Sequence, residues 1–203
     1  MRILSFFILF LFSLIVVQAQ ESRNKSDLIV FQDSAFWGFK NSSGKIVIEA
    51  KYRMAFDFSP DGIAAVIDSS GWKFINKKGK NLLTPFTFDN GPDYFEEDVA
   101  RCIEDDKIGF FNRKGEIVIQ PKYTFATSFH EGLSAFCVDC EIVRRLEHYS
   151  VKGGKWGYMN KKGEEVIPPI FDGAGFFKEG KAKVKQNGTW VYINAKGELV
   201  EKE

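Results

Sequence analysis

The feature that most constrains this chain is an internal repeat. Similar segments begin at an anchor residue, run through a short apolar and aromatic stretch, and reach an Asn-x-x-Gly turn. The spacing is about 35 residues, with about 13 extra residues before the fourth copy. A period of this length predicts a tandem repeat fold, in which each unit buries its apolar face only against its neighbours. The anchors are Trp37, Trp72, Ile108, Trp156 and Trp190, so all four tryptophans share one phase.

The later positions of the unit recur as well. A proline follows the turn glycine by six residues, and an aromatic residue, a phenylalanine, an acidic-glycine pair and a small-x-apolar run come after it. In the fourth unit these are Pro169, Phe171, Phe177, Glu179-Gly180 and Ala182-Lys183-Val184. We expect the recurring Trp and Phe rings to stack between neighbours as the core, because aromatics at a fixed repeat phase are typical of packing residues.

Each unit has the pattern of β-strands. The glycine of the Asn-x-x-Gly turn supplies the positive φ that a hairpin needs. The segment 181–185 alternates polar and apolar residues, and Asn187-Gly188 is a strong hairpin turn before Trp190. The sequence therefore predicts an all-β fold of tandem β-hairpin repeats in an open curved array. A small closed propeller is the alternative, since 28–31 supplies a closing strand, but a four-stranded blade usually takes about 40–45 residues.

The repeat resembles the WG-repeat family, whose unit begins Trp-Gly-aromatic and continues through Asn-Lys-x-Gly. The resemblance covers residues 28–200, with units from about 37, 72, 108 and 156 and a partial unit from 190. It implies binding or structural modules. Three positions depart from the family pattern: Ile108 replaces Trp, and Lys73 and Val191 replace Gly.

The N-terminus has the layout of a secretory signal peptide. Met1-Arg2 is followed by an apolar run over 3–17 and by Val17-Gln18-Ala19. We predict a signal peptide over 1–19, a leader over 20–27 and a repeat domain over 28–203, in a secreted or periplasmic protein. An uncleaved anchor is the alternative, but the run is shorter than the roughly 20 residues that a spanning helix needs. No later stretch is apolar enough to span a membrane.

The charge balance argues against an electrostatic partner. The chain has 28 Lys and Arg against 27 Asp and Glu, with the two signs interspersed. Nucleic acid is therefore not an expected partner. A protein, peptide or glycan ligand of unknown identity is compatible with this composition.

No segment carries a recognisable catalytic motif. His130 lies in a repeat loop where the other copies have Pro60 and Lys178, so a solvated site is favoured over a base. The acidic runs Glu96-Glu97-Asp98 and Asp105-Asp106 favour solvated loop charge, because adjacent residues of a strand point to opposite faces. We predict no enzyme, no cofactor and no metal site. The hypothesis is a binding scaffold outside the cytoplasm, and the alternative is a secreted hydrolase acting on cell-wall or glycan material.

The chain has three cysteines. Cys137 and Cys140 form a C-x-x-C motif, which in an exported protein favours a disulfide, with free thiols or metal and redox chemistry as alternatives. Cys102 aligns with Val66 and Val184 of other units. We therefore expect Cys102 to be a buried core cysteine.

The extra residues before Trp156 form an insertion over 138–154. The apolar residues within 141–149 have helical spacing, which predicts a short amphipathic helix or an extended hairpin. The insertion carries Arg144, Arg145, His148 and Tyr149, residue types that favour interfaces. We predict that these four residues contact the partner, and a tolerated surface loop is the alternative.

Overall fold

The computed structural model describes residues 27–88, 91–145 and 148–201. The predicted signal peptide and most of the leader lie outside these residues. Every regular element of the described residues is a β-strand, which confirms the all-β prediction. Within the same ranges there is no helix with the length and hydrophobicity to cross a membrane.

The chain separates into two compact units. Unit 1 contains the residues up to Gly71 together with Ile75–Lys80, and unit 2 contains Trp72–Phe74 and the residues from Asn81 onward. In unit 1, β1–β3 form an antiparallel sheet and β4 pairs with β5. The strands are β1 (Leu28–Asp33), β2 (Phe36–Asn41), β3 (Ile46–Tyr52), β4 (Met54–Ala55), β5 (Ile63–Asp68) and β6 (Gly71–Asn76), the last of which contributes residues to both units.

Unit 2 contains the remaining strands, and most of them form antiparallel sheets. The sheets are β8-β9, β10-β11-β12, β13-β14-β15-β16 and β17-β18-β19-β20. The strands are β7 (Asn81–Leu83), β8 (Thr87–Phe88), β9 (Gly91–Pro92), β10 (Val99–Glu104), β11 (Lys107–Asn112), β12 (Ile117–Tyr123), β13 (Phe125–Ala126), β14 (Leu133–Arg145), β15 (His148–Asn160), β16 (Glu165–Phe171), β17 (Gly173–Lys178), β18 (Lys181–Gln186), β19 (Thr189–Asn194) and β20 (Leu199–Val200).

The Asn-x-x-Gly turn is built in the same way in every copy. In the fourth copy, Asn160 Oδ1 accepts hydrogen bonds from the N–H groups of Lys162 (2.9 Å) and Glu164 (3.1 Å). Gly163 has a φ of 74° and donates its N–H to the Asn160 carbonyl. The side chain of Asn therefore closes the turn and the glycine adopts the left-handed conformation, as the sequence predicts.

The glycine after Trp is required by a close approach of two strands. A Cβ on Gly157 would lie 2.5 Å from the carbonyl oxygen of Ile167 and 2.8 Å from the nitrogen of Pro169, on β16. Gly38 and Gly109 face the same conflict in their own sheets. The equivalent position of β19 is Val191, and the partner strand β20 consists of Leu199–Val200.

The Trp anchors, which the sequence predicts to be core residues, are buried to different degrees, and Trp37 packs against a core cluster while partly buried. Trp156 is 8% exposed, whereas Trp37 and Trp72 are half-buried and Trp190 is 51% exposed. Trp37 and Trp190 lie at the start of six-residue strands, at the margin of the sheet. At Trp156 the strands continue past the indole, and Phe125 packs against its edge at 5.9 Å.

In each of the first four repeats, the aromatic ring two residues after the anchor is buried. It belongs to Phe39, Phe74, Phe110 or Tyr158. The Tyr158 ring packs edge-on against Phe177 of the next sheet at 4.9 Å, and its hydroxyl donates to the carbonyl of Gly175 at 2.8 Å. Stacking between neighbouring repeats is therefore centred on this position in the middle of the strand.

Polar contacts also join consecutive sheets of unit 2. The Glu131 carboxylate accepts hydrogen bonds from the N–H groups of Glu179 (2.6 Å) and Gly180 (2.8 Å), which form the acidic-glycine turn of the next repeat. Glu97 contacts the turn that contains Glu131 in the same way, through the N–H of Gly132. Each of these carboxylates thus holds the turn of the following repeat.

Candidate functional site

The insertion is a long β-hairpin. β14 and β15 have 13 residues each, and their pairing runs from Leu133 opposite Asn160 to Arg145 opposite His148. The flanking strands pair only with the base of this hairpin, up to Cys137 on β14 and Trp156 on β15. Residues 138–145 and 148–155 therefore extend beyond the sheet. Of the two predicted conformations, the extended hairpin is confirmed and the helix is wrong.

The helical prediction failed because tertiary pairing overrides the apolar spacing. Ile142 and Val143 are β-branched residues that favour strands, and they pair with Val151 and Ser150. The hairpin continues two strands that are already paired at their base. It therefore extends an existing ladder rather than nucleating a helix.

The two faces of the hairpin have different surroundings. Cys140, Ile142 and Val151 are partly buried and pack against the core cluster of unit 2. Glu141 and Lys152, which neighbour Ile142 and Val151 along the strands and therefore point the other way, are exposed. The hairpin therefore lies with one face on the repeat domain and presents the other face to solvent.

A disulfide stands where the hairpin leaves the sheet. It joins Cys137 and Cys140, whose Cα atoms are 6.0 Å apart. Between them Asp139 has a φ of 55°, and Gly153 and Gly154 on the opposite strand also have positive φ values. A Cβ on Gly154 would collide with the backbone of Val138. The base of the hairpin is thus an irregular, cross-linked segment, and oxidation of this pair in the exported protein stays a prediction.

The four predicted contact residues lie at the tip of this hairpin. Arg144 is opposite Tyr149, and Arg145 is opposite His148. The structure thus brings their backbones together on two adjacent rungs of the ladder. Their side chains lie outside the described part of the structure.

The candidate residues Cys102 and His130 both pack against other parts of the fold. Cys102 is a free cysteine and is buried, as predicted, and burial raises the pKa of its thiol to about 12. It therefore stays a protonated thiol at neutral pH. His130 is not the solvated residue that the sequence predicts: it is half-buried, and its ring packs against Phe176 with the centroids 4.3 Å apart.

The first acidic run is engaged with neighbouring cations and backbone groups. Partial burial pushes the pKa of Glu97 upward, but the hydrogen bonds from Lys161 and from Gly132 outweigh it and lower the pKa. A hydrogen bond from Arg113 lowers the pKa of Asp98. Asp105 and Asp106 form a hairpin turn with φ values of 48° and 59°. The described residues contain no cluster of three or more His, Cys, Asp or Glu side chains that could hold a metal ion.

Sequence reasoning missed a buried ion pair. Arg101 donates through Nε and Nη2 to both carboxylate oxygens of Asp93, at 2.7 and 2.9 Å, and through Nη1 to the carbonyl of Ala126 at 3.1 Å. Its guanidinium lies over the ring of Phe86 at 4.3 Å. All of these groups have partners, so the pair is a structural element of the second repeat. The available signal was Arg101 itself, which occupies a position that is Ala65 and Ala135 in other units.

Comparison with known proteins agrees with the repeat described above. The family model of the WG containing repeat matches residues 37–72, 108–139 and 156–190. The chain belongs to the WG-repeat family. The stretches between the matches, 73–107 and 140–155, contain the Arg101–Asp93 pair and most of the protruding hairpin.

Two further comparisons are less informative than the family model. No curated protein matches the chain. Among solved structures, it is similar to one described as a crystal structure of the eukaryotic initiation factor, with 10% identity over 85% of this chain and a TM-score of 0.34. The aligned part spans 51% of that chain.

Proposed function

We propose that this WG-repeat protein is a binding scaffold that works outside the cytoplasm, and that the hairpin over 138–154 contacts its partner. The observation that carries the proposal is the protrusion of this hairpin from an otherwise regular repeat sheet. Among the five anchors, only the spacing before Trp156 departs from the period of about 35 residues, so the insertion is the clearest break in the repeat. Insertions of this kind commonly lie on a binding face.

The surroundings of the hairpin support a binding role. One face packs on the core cluster through Ile142 and Val151, so the hairpin is held in place by the domain. The disulfide between Cys137 and Cys140 restrains its base. A partner that binds a restrained hairpin loses less conformational entropy than one that must first order a loop.

A location outside the cytoplasm is part of the proposal. The apolar run over 3–17 supports it, because that run has the length of a signal segment. A disulfide persists in oxidising compartments, which agrees with export. The partner is a protein, a peptide or a glycan.

A role without catalysis is also part of the proposal. A general acid at neutral pH needs a carboxyl whose pKa is raised. The pKa values of Glu97 and Asp98 are lowered instead, and their carboxylates bind Lys161 and Arg113. No observation favours the hydrolase alternative.

The proposal can be tested by removing the hairpin. Residues 139–153 are replaced by Asn-Gly, the turn that already joins β18 to β19 at 187–188. We expect the trimmed protein to fold with an unchanged β-sheet circular dichroism spectrum and to lose capture of its partner from the exported fraction. Full capture by the trimmed protein would contradict the proposal.

A second arm locates the contact on the hairpin. A photo-crosslinking amino acid at Val138, which is 39% exposed, is compared with the same amino acid at Val118, which is 41% exposed on β12. We expect a discrete adduct only from position 138. An adduct from position 118 alone would place the partner on the repeat face instead.

A further inference from the structure

A second surface lies on the sheet β17–β20, on the face opposite its packed side. Ala182 and Val184 point towards the sheet β13–β16 and belong to the core of unit 2. Lys183 and Lys185 alternate with them along β18 and therefore point to the other face. Trp190 and Tyr192 lie directly opposite these two lysines on β19, so the four side chains share one face.

The composition of this face differs from that of the equivalent positions in other repeats. The positions of Lys181, Lys183 and Lys185 correspond to Ile63, Ala65 and Ile67 on β5, to Val99, Arg101 and Ile103 on β10, and to Leu133, Ala135 and Cys137 on β14. On β5, β10 and β14 most of these positions are apolar. On β18 all three are lysines, and Lys178 on β17 lies opposite Lys181. No acidic residue occupies one of these paired positions, and the nearest carboxylate to Lys185 that interacts with it is that of Asp172, just before β17.

The aromatic part of the face is flat and open. A Cβ on Gly173 would lie 3.3 Å from Cη2 of Trp190, so the indole reaches across β18 and rests on the glycine. The Lys183 ammonium lies 5.3 Å from the indole centroid, and Trp190 remains 51% exposed. Lysines two residues apart on a strand are spaced by about 6.6 Å. The result is an exposed ring bordered by a row of positive charges.

We propose that this face, formed by Trp190, Tyr192, Lys183 and Lys185, binds an acidic polysaccharide. The row of ammonium groups complements anionic groups that repeat along a chain. The negative face of an indole attracts the C–H groups of a sugar ring. About half of the Trp190 side chain is exposed, and the Lys183 ammonium lies over its ring, so a sugar carboxylate and a sugar ring can be met at the same place. A neutral glycan would use the ring but not the lysines, and an acidic polypeptide would use the lysines with little need for the ring. This surface is separate from the proposed hairpin contact.

The probe is a carboxylated polysaccharide, polyuronate, titrated into the full mature chain at low salt. We expect binding that weakens as the salt concentration rises. We expect Trp190→Ala and the double variant Lys183→Gln, Lys185→Gln each to weaken it by about tenfold. The matched control Lys196→Gln changes a lysine of the Asn194 turn and should leave the affinity unchanged. Uncharged dextran should not bind.

Each of the other outcomes overturns the proposal. Absence of polyuronate binding would leave only a charged, solubilising face. Polyglutamate that binds as tightly as polyuronate, with no effect of Trp190→Ala, would indicate an acidic polypeptide partner. Tighter binding of single-stranded DNA would indicate a nucleic acid. Loss of binding in the variant with the trimmed hairpin, but not in Trp190→Ala, would move the site to the hairpin. Unchanged thermal unfolding of Trp190→Ala shows that a lost affinity is not a folding defect.

Discussion

The sheets β13–β16 and β17–β20 are built from the same repeat, and yet they bury equivalent residues very differently. Trp156 and Trp190 occupy the same position and are 8% and 51% exposed. Tyr158 is fully buried under the next sheet, whereas Tyr192 is half-buried. The β14 positions Leu133, Ala135 and Cys137 are replaced by lysines on β18. A repeat motif therefore specifies strand pairing and turns, while the neighbouring elements determine which of its side chains become core.

The largest expected difference between the two sheets is the effect of removing the indole of Trp156 or of Trp190. We expect Trp156→Ala to lower the free energy of unfolding by about 3–5 kcal/mol, because a buried ring is lost and a cavity remains. Trp190→Ala should cost less than about 1 kcal/mol, because half of that side chain is already in water. Urea unfolding of both variants measures the difference. Equal losses would show that exposure does not distinguish the two sheets.

The second largest loss of stability is expected at the glycine of the Trp-Gly position, where two strands approach closely. We expect Gly157→Ala to destabilise the protein by about 1–3 kcal/mol, since its Cβ would press on the backbone of β16 and force the strands apart. Gly91→Ala is the control, because nothing lies within 4 Å of a Cβ at that glycine. Its effect should stay within about 0.5 kcal/mol. If thermal unfolding finds the two variants equally stable, the close approach does not explain the glycine.

The smallest effect concerns the carboxylates that hold the following turn. Glu131→Ala removes the acceptor of two backbone N–H groups, and we expect a loss of about 1 kcal/mol because the groups are exposed to water. Glu179 holds the same position in the next repeat, and within the described residues its carboxylate accepts no such bond. Glu179→Ala should therefore change the free energy of unfolding by less than about 0.5 kcal/mol. A larger loss in Glu179→Ala than in Glu131→Ala would contradict the proposed contact between repeats.

Much of the fold could be predicted from the repeat, because the decisive interactions are local. The Asn160 turn closes within five residues, and β18 pairs with β19 across a two-residue loop. The buried state of Cys102 followed from its alignment with core positions of other units. The insertion was less predictable, because the helical spacing of its apolar residues competes with the β-ladder that continues into it.

What the sequence determined by itself was therefore the period, the turns, the strand pairing and the family. The tertiary structure decided what each outward-facing side chain meets. The Arg101–Ala126 contact joins residues 25 positions apart, and the Glu131–Gly180 contact joins residues 49 apart. Such contacts depend on how one sheet lies against the next, which the pattern within a repeat does not encode. For the same reason, the exposure of the Trp190 indole depends on how the sheet β17–β20 packs and not on the repeat motif.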